Sequence, residues 1–308
     1  MNQQISIKYL FRRKFILGGI DKMENRAVKT TILNHGFAGE VTLEEMQDGR
    51  KYVHKAYTRT DLDGSIINDE WDALFYLYNK GYSVPKPIER TKNGMYIQYI
   101  ENGALWDTYK SAEANTRKKI TEKFAKLLYD LHILKPADAK IFQDNNFLQN
   151  EIAEISQIID EKGFNQLNNY IKIIDRLETI SANITEQAPC YIHRDYHPWN
   201  VLSDKNGKQY AIDFVLKQGD YRFDVAWTYM MMTRTDDNNS EFLEFAEHFL
   251  SEYVKLQPDT LAEFVFFKQL ANLRWLVNVK PPISSEQTND FFQYLINIAE
   301  SVMSGFIE

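Results

Sequence analysis

The sequence predicts an α+β fold, with a small β-rich N-terminal part and a larger, mainly helical C-terminal part. Three observations carry this expectation. Strand-like alternation broken by turn residues fills residues 27–57. Helical periodicity dominates after about residue 103. Short strand-like runs return only around residues 191–213, and there they are interleaved with strongly polar side chains.

The N-terminal strands come first. VKTTIL alternates and is rich in β-branched residues, NHGFAGE follows with Gly36 and Gly39, and VTLEEM resumes the strand. QDGR supplies a hairpin turn into a third strand, KYVHKAY, which carries Lys55. A helix is expected from about Asn68 to Lys80, because Trp71, Leu74, Phe75 and Tyr78 recur at the spacing of one helical face. Gly81 is its expected C-terminal cap, and Pro85 and Pro87 prevent continuation. MYIQYI, residues 95–100, reads as a further strand, and Glu101, Asn102 and Gly103 break the pattern. That break divides the chain into residues 1–100 and 101–308, with residues 1–26 as an N-terminal extension.

Beyond the break, Ile120, Phe124, Leu127, Leu128 and Leu131 form one apolar helical face, and Tyr170, Ile173, Ile174, Leu177 and Ile180 another. Residues near 240–255, 260–279 and 286–304 read as further helices.

Composition narrows the function. At 308 residues the chain can bury a sizeable core, and 44% hydrophobic content is that of a globular protein. A net charge of −7 argues against general nucleic-acid binding, since a phosphate backbone attracts a basic surface. One cysteine, Cys190, gives no partner for an internal disulfide and fits a reducing cytoplasm. No apolar run approaches the roughly 20 residues that a membrane helix needs.

The segment YIHRDYHPWNVLSDKNGKQYAIDF, residues 191–214, carries the chemistry. His193, Asp195 and His197 resemble a metal triplet, but no second group of His or Cys completes a zinc set. A buried polar network that only holds a turn is the plainer alternative. Phosphoryl transfer accounts for more of the residues. It needs a carboxylate near the attacking hydroxyl, oxygen ligands for Mg²⁺ and a cation on the nucleotide phosphates. His193-Arg194-Asp195, with Asn200 five positions after the aspartate, has the spacing of the kinase catalytic loop, H-R-D-L-x-x-x-N. Asp213-Phe214 follows one short hairpin later, where a second metal-binding carboxylate belongs.

HRDYHPWNVL resembles the catalytic loop of the aminoglycoside phosphotransferase and choline kinase family, relatives of the protein kinases. GDYRFDVAW, residues 219–227, resembles that family's downstream G-D-x-x-x-D-[LV]-A segment, and LLYDLHIL, residues 127–134, the helix before the loop. The resemblance implies a protein-kinase-like bilobal fold with the nucleotide between the lobes. It implies a kinase that moves the γ-phosphoryl group of ATP or GTP, with Mg²⁺, onto a hydroxyl of a small molecule. Asp195 would take the substrate hydroxyl, and Asn200 and Asp213 would hold the metal. Lys55 would bind phosphate oxygens and Glu70 would position Lys55, ahead of its neighbours Asp69 and Asp72. Gly36 and Gly39 would let backbone N–H groups approach phosphates, and the backbone from Gln98 to Ile100 would meet the purine. His193 would be structural, and Asp224 would brace the loop.

The sequence departs from the pattern in places. His197 stands where protein kinases usually have lysine, Val215 where they have glycine, and Trp199 where the family often has a small residue. Acidic residues at Asp236, Asp237, Glu241, Glu244 and Glu247 would suit a cationic substrate such as an aminoglycoside; a solvated acidic helix start is the alternative. Choline, sugars and homoserine are other acceptors within the family. A catalytically silent nucleotide-binding relative would be expected to lose one of Lys55, Glu70, Asp195, Asn200 or Asp213, and all five are present.

Overall fold

The protein is described from a computed structural model. Residues 27–35, 39–57, 65–135, 142–144, 146–161, 168–185, 187–234 and 240–278 are described, with backbone alone at 34, 35, 65–67, 168–171 and 276–278. Gly36, Asp236, Asp237, residues 1–26 and the helix expected at 286–304 lie outside the described residues. The chain divides into two compact units, Met1–Ile100 and Glu101–Glu308.

The first unit is built on a five-stranded antiparallel sheet in the order β1-β2-β3-β5-β4. The strands are β1 (Ala27–His35), β2 (Gly39–Met46), β3 (Lys51–Tyr57), β4 (Pro87–Arg90) and β5 (Gly94–Gln98). β1, β2 and β3 form the meander that the alternation predicts. Gly49 makes the β2–β3 turn at φ +81°, a left-handed conformation that glycine adopts without a Cβ clash. β4 is a strand that the sequence reading lacks. Pro87 hides it, since proline cannot donate to a ladder, but β4 lies at the sheet edge, where a missing donor costs little. β5 ends at Gln98, so Tyr99 and Ile100 lie beyond the strand expected at 95–100.

Helix α1 (Ser65–Asn79) starts three residues before the expected Asn68. Its buried stripe is Trp71, Ala73, Leu74 and Leu77; Tyr78, placed on the apolar face by periodicity, is 39% exposed. Gly81 closes the helix at φ +77°. Tyr82 N donates to Leu77 O and Gly81 N to Tyr78 O, the paired bonds of a Schellman cap.

The second unit contains α2 (Leu105–Lys110), α3 (Ala114–His132), α4 (Phe147–Glu161), α5 (Asn168–Ser181), α6 (Tyr221–Thr233), α7 (Ser240–Leu256) and α8 (Phe264–Asn278). Between α5 and α6 run four short strands, β6 (Cys190–Ile192), β7 (Val201–Ser203), β8 (Gln209–Ala211) and β9 (Lys217–Gly219). β7 pairs with β8 as a hairpin, and β6 pairs with β9. The apolar face predicted for α3 is buried throughout, and Phe124 stacks on Tyr196 and meets Phe245 and Phe249 of α7 edge-on. This aromatic core lies directly beneath the loop between β6 and β7. Among the described residues no helix is long and apolar enough to cross a membrane.

Candidate active site

The β6–β7 loop leaves its strand at His193, which is fully buried. His193 Nε2 lies 3.0 Å from Ile212 O, and its ring packs 4.3 Å from that of Phe214. Burial pushes the imidazole pKa down, which favours the neutral ring, and the side chain serves as a strut across the loop. Arg194 follows at φ +68°. The chain turns there because Asp224, wholly buried on α6, accepts hydrogen bonds from His193 N at 2.6 Å and Arg194 N at 2.8 Å. His132 of α3 lies 3.1 Å from the same carboxylate and also meets Tyr253 of α7. A buried carboxylate needs such partners, since desolvation without them is costly.

The Arg194 side chain does not reach the loop's open side. It is buried against Glu151 and lies 3.4 Å from Glu154, both on α4. Arg274 of α8 lies 2.8 Å from Glu154 and 3.4 Å from Glu151. Burial alone would raise the Glu154 carboxyl pKa, but Arg274, then Arg194 and Lys217, hold it below the usual value.

Asp195 comes next, with its side chain 38% exposed. Its Oδ2 accepts from Asn200 Nδ2 at 2.9 Å, and its Oδ1 accepts from Trp227 Nε1 at 3.1 Å. His197 Nε2 lies 3.4 Å from that same Oδ1. Asn200 also donates Nδ2 to Asp195 O at 3.0 Å, so its amide is oriented with Nδ2 toward the aspartate. Asp213, half-buried at φ +61°, sits between two backbone links to the loop. Ile212 N donates to Asn200 O at 3.0 Å, and Val215 N donates to His193 O at 3.2 Å. The structure thus brings Asp195, Asn200 and Asp213 onto two mutually tied segments.

The two aromatic and aliphatic departures have separate fates. Trp199 is 36% exposed and rests against Trp106 at 5.4 Å and Phe242 at 5.9 Å, as part of an aromatic cluster between α2 and α7. The Val215 side chain is 51% exposed while its N–H holds the loop.

In the first unit, Lys55 Nζ lies 2.6 Å from Glu70 Oε1, and the other carboxylate oxygen accepts from Tyr57. Both side chains of the pair are largely covered, 20% and 15% exposed. Two glycines fit closely against β3 at this point. A Cβ on Gly39 would come 1.8 Å from Ala56 O, and one on Gly94 2.2 Å from Lys55 O. Gly39 therefore has a packing reason to be glycine, independent of any phosphate. Gln98 N donates to Lys86 O at 2.9 Å and Gln98 Oε1 accepts from Lys86 N at 3.1 Å; the Ile100 side chain is buried. Within the acidic group near α7, Arg117 lies 2.5 Å from Glu241 and 3.3 Å from Glu244, both part-exposed, and Tyr229 donates to the exposed Glu247.

Gly94, Thr228 and Tyr253 belong to no motif in the sequence, and His132 and Trp227 appear only as members of the segments 127–134 and 219–227 with no role of their own. For Trp227 and Thr228 the available signal was helical spacing, since they lie three and four positions after Asp224.

Two loop carboxylates and an amide, on segments tied to each other and to a buried aspartate on the next helix, are an arrangement suited to a phosphotransferase of the kinase type. Residues 47–259 match the family model described as the phosphotransferase enzyme family, and the chain belongs to that family. No curated protein matches the chain. Solved structures do. A putative aminoglycoside phosphotransferase from Ralstonia eutropha is similar with a TM-score of 0.71 at 13% identity, over 98% of each chain. A choline kinase from Cryptosporidium parvum gives 0.65 at 18% identity, over 98% of this chain and 97% of that one. A Plasmodium vivax ethanolamine kinase gives 0.65 at 17% identity, over 81% and 74%. At these identities the likeness shows the fold, which is protein-kinase-like. With the family it makes the protein a small-molecule kinase, transferring a phosphoryl group from a nucleoside triphosphate to a hydroxyl acceptor.

Proposed function

We propose that the chain transfers the γ-phosphoryl group of ATP to a hydroxyl of a small molecule, in the manner of an aminoglycoside phosphotransferase. The observation that carries this reading is Asp195: a part-exposed carboxylate with a donor on each oxygen, linked through Asn200 to the segment that carries Asp213. Asp195 orients the acceptor hydroxyl and takes its proton. Lys55, held by Glu70, binds phosphate oxygens, and the strand end at Gln98 to Ile100 meets the purine. Gly39, with Gly36, lets backbone approach the phosphates. Phosphate binding is thus assigned to residues of the first unit and proton handling to the second.

Magnesium fits the donors present. Asn200 uses Nδ2 on Asp195 and so keeps its amide oxygen for a cation, and Asp213 adds a carboxylate. Both are hard oxygen donors of the kind Mg²⁺ takes, with phosphate and water filling its other positions. When bound, the ion would neutralise charge on the transferring phosphate. A nucleotide substrate and a lone thiol suit a cytoplasmic setting.

The acceptor is the open choice. A polycation would need bare acidic walls, yet Arg117 already occupies Glu241 and Glu244. A choline-, sugar- or homoserine-type metabolite is therefore the second reading. The test is ADP release with ATP and Mg²⁺ across aminoglycosides, macrolides, choline, ethanolamine, homoserine and small sugars. Release with one class, lost in Asp195→Asn, supports the reading. ATP binding without release for any of them points to a silent relative.

A further inference from the structure

We propose that Trp227 is a positioning residue of phosphoryl transfer: its indole N–H fixes the rotamer of the Asp195 carboxylate. This rests on the reading of Asp195 as the group that takes the acceptor hydroxyl.

One face of α6 grips four consecutive loop residues. Asp224 holds the backbone N–H groups of His193 and Arg194. Trp227 Nε1 donates to Asp195 Oδ1 at 3.1 Å, and Thr228 Oγ1 donates to Tyr196 O at 2.7 Å. The spacing i, i+3, i+4 puts all three side chains on that face. Asp224 and Thr228 reach backbone atoms; Trp227 is the member that reaches the side chain of the proposed base.

The last torsion of an aspartate is soft and roughly two-fold, so a part-exposed carboxylate does not hold its plane unaided. Here Asn200 Nδ2 anchors Oδ2 and the indole anchors Oδ1. Indole nitrogen is a donor only, so it orients the carboxylate without competing for the acceptor's proton. Trp227 is 2% exposed and packs on Phe223 at 6.1 Å, so the donor itself cannot swing. His197 Nε2, 3.4 Å from Oδ1, is longer than a good hydrogen bond and does not replace it.

The test is Trp227→Phe, which keeps an aromatic ring and deletes the N–H. A hydrogen bond to a charged group is worth enough that kcat should fall about tenfold or more, with KM for nucleotide unchanged. In an Asp195→Asn background the same replacement should cost nothing further, because the charge it orients is gone. The protein has five tryptophans. In ¹⁵N-labelled protein the Trp227 indole signal, assigned by Trp→Phe changes at positions 71, 106, 199 and 275, should move in Asp195→Asn. That readout holds even if Trp227→Phe fails to fold. An indole signal that stays put in Asp195→Asn overturns the proposal. So does wild-type kcat in a folded Trp227→Phe protein when Asp195→Asn is inactive. Full activity of Asp195→Asn would instead overturn the reading of Asp195 on which the proposal stands.

Discussion

At the scale of residues, Asp195 is where chemistry and geometry coincide most closely. Asp195→Asn keeps the shape and removes the group proposed to accept the proton. Turnover should fall about a hundredfold or more, as for loss of a general base, while ATP affinity measured by calorimetry stays within a small factor. Unchanged turnover would remove Asp195 from the mechanism. The loop residues were legible because His193, Asp195, Asn200 and Asp213 are polar residues spaced along apolar runs. Of the residues that hold them, Asp224 was legible from the segment GDYRFDVAW, and its bonds to His193 N and Arg194 N bear that out; the others were not. Trp227 and Tyr253 look like ordinary core aromatics in sequence, and their hydrogen bonds arise only when α6 and α7 pack against the loop and α3. His132 was visible only as part of a helix motif, though its ring meets the carboxylate that braces the loop.

Elements show the same division. α3 and the β1–β3 meander follow from periodicity, because one face of each is buried and the other wet. β4 and β9 escaped that reading: one begins with proline, and the other, Lys217–Gly219, is three residues with no alternation to see. Gly94 illustrates a requirement that periodicity cannot express. It opens β5 against β3 at Lys55, where an added Cβ would meet backbone oxygen at 2.2 Å. Gly94→Ala must therefore push β3 or β5 aside. The expected result is a loss of stability of about 1–3 kcal/mol, the usual range for overpacking, with weaker ATP binding through a displaced Lys55. Gly49→Ala, where nothing lies within 4 Å, should cost only its backbone strain, about 1–2 kcal/mol, and leave ATP affinity alone. Equal effects of the two on ATP affinity would show that the fit against Lys55 is irrelevant to binding.

For the whole molecule, the family match spans residues 47–259, which include every described site residue except Gly39. On the proposed reading, the two units contribute groups of opposite charge. The first offers the Lys55 cation, already paired at 2.6 Å; the second offers the Asp213 carboxylate. Variants at these two positions should then differ in one titration. Asp213→Ala should weaken ATP binding by about tenfold in Mg²⁺ and flatten its dependence on Mg²⁺ concentration, because a hard-cation ligand is lost. Lys55→Ala should weaken ATP binding yet leave the Mg²⁺ dependence steep. If Asp213→Ala binds Mg·ATP as the wild type does, the metal belongs elsewhere.

Arg194 sits in a backbone conformation that glycine would adopt more cheaply, at φ +68°. Asp224 holds that backbone, and the buried guanidinium adds a second tie by sharing Glu151 with Arg274. Position 194 and position 151 are consequently not free to drift separately. Replacing Arg194 with glycine would relieve the backbone yet leave Glu151 with Arg274 alone, so a change at 194 is felt on two helices at once. The loop's turn is thereby wired to α4 and α8, and a charge lost at 194, 151 or 274 shifts the burden onto the other two.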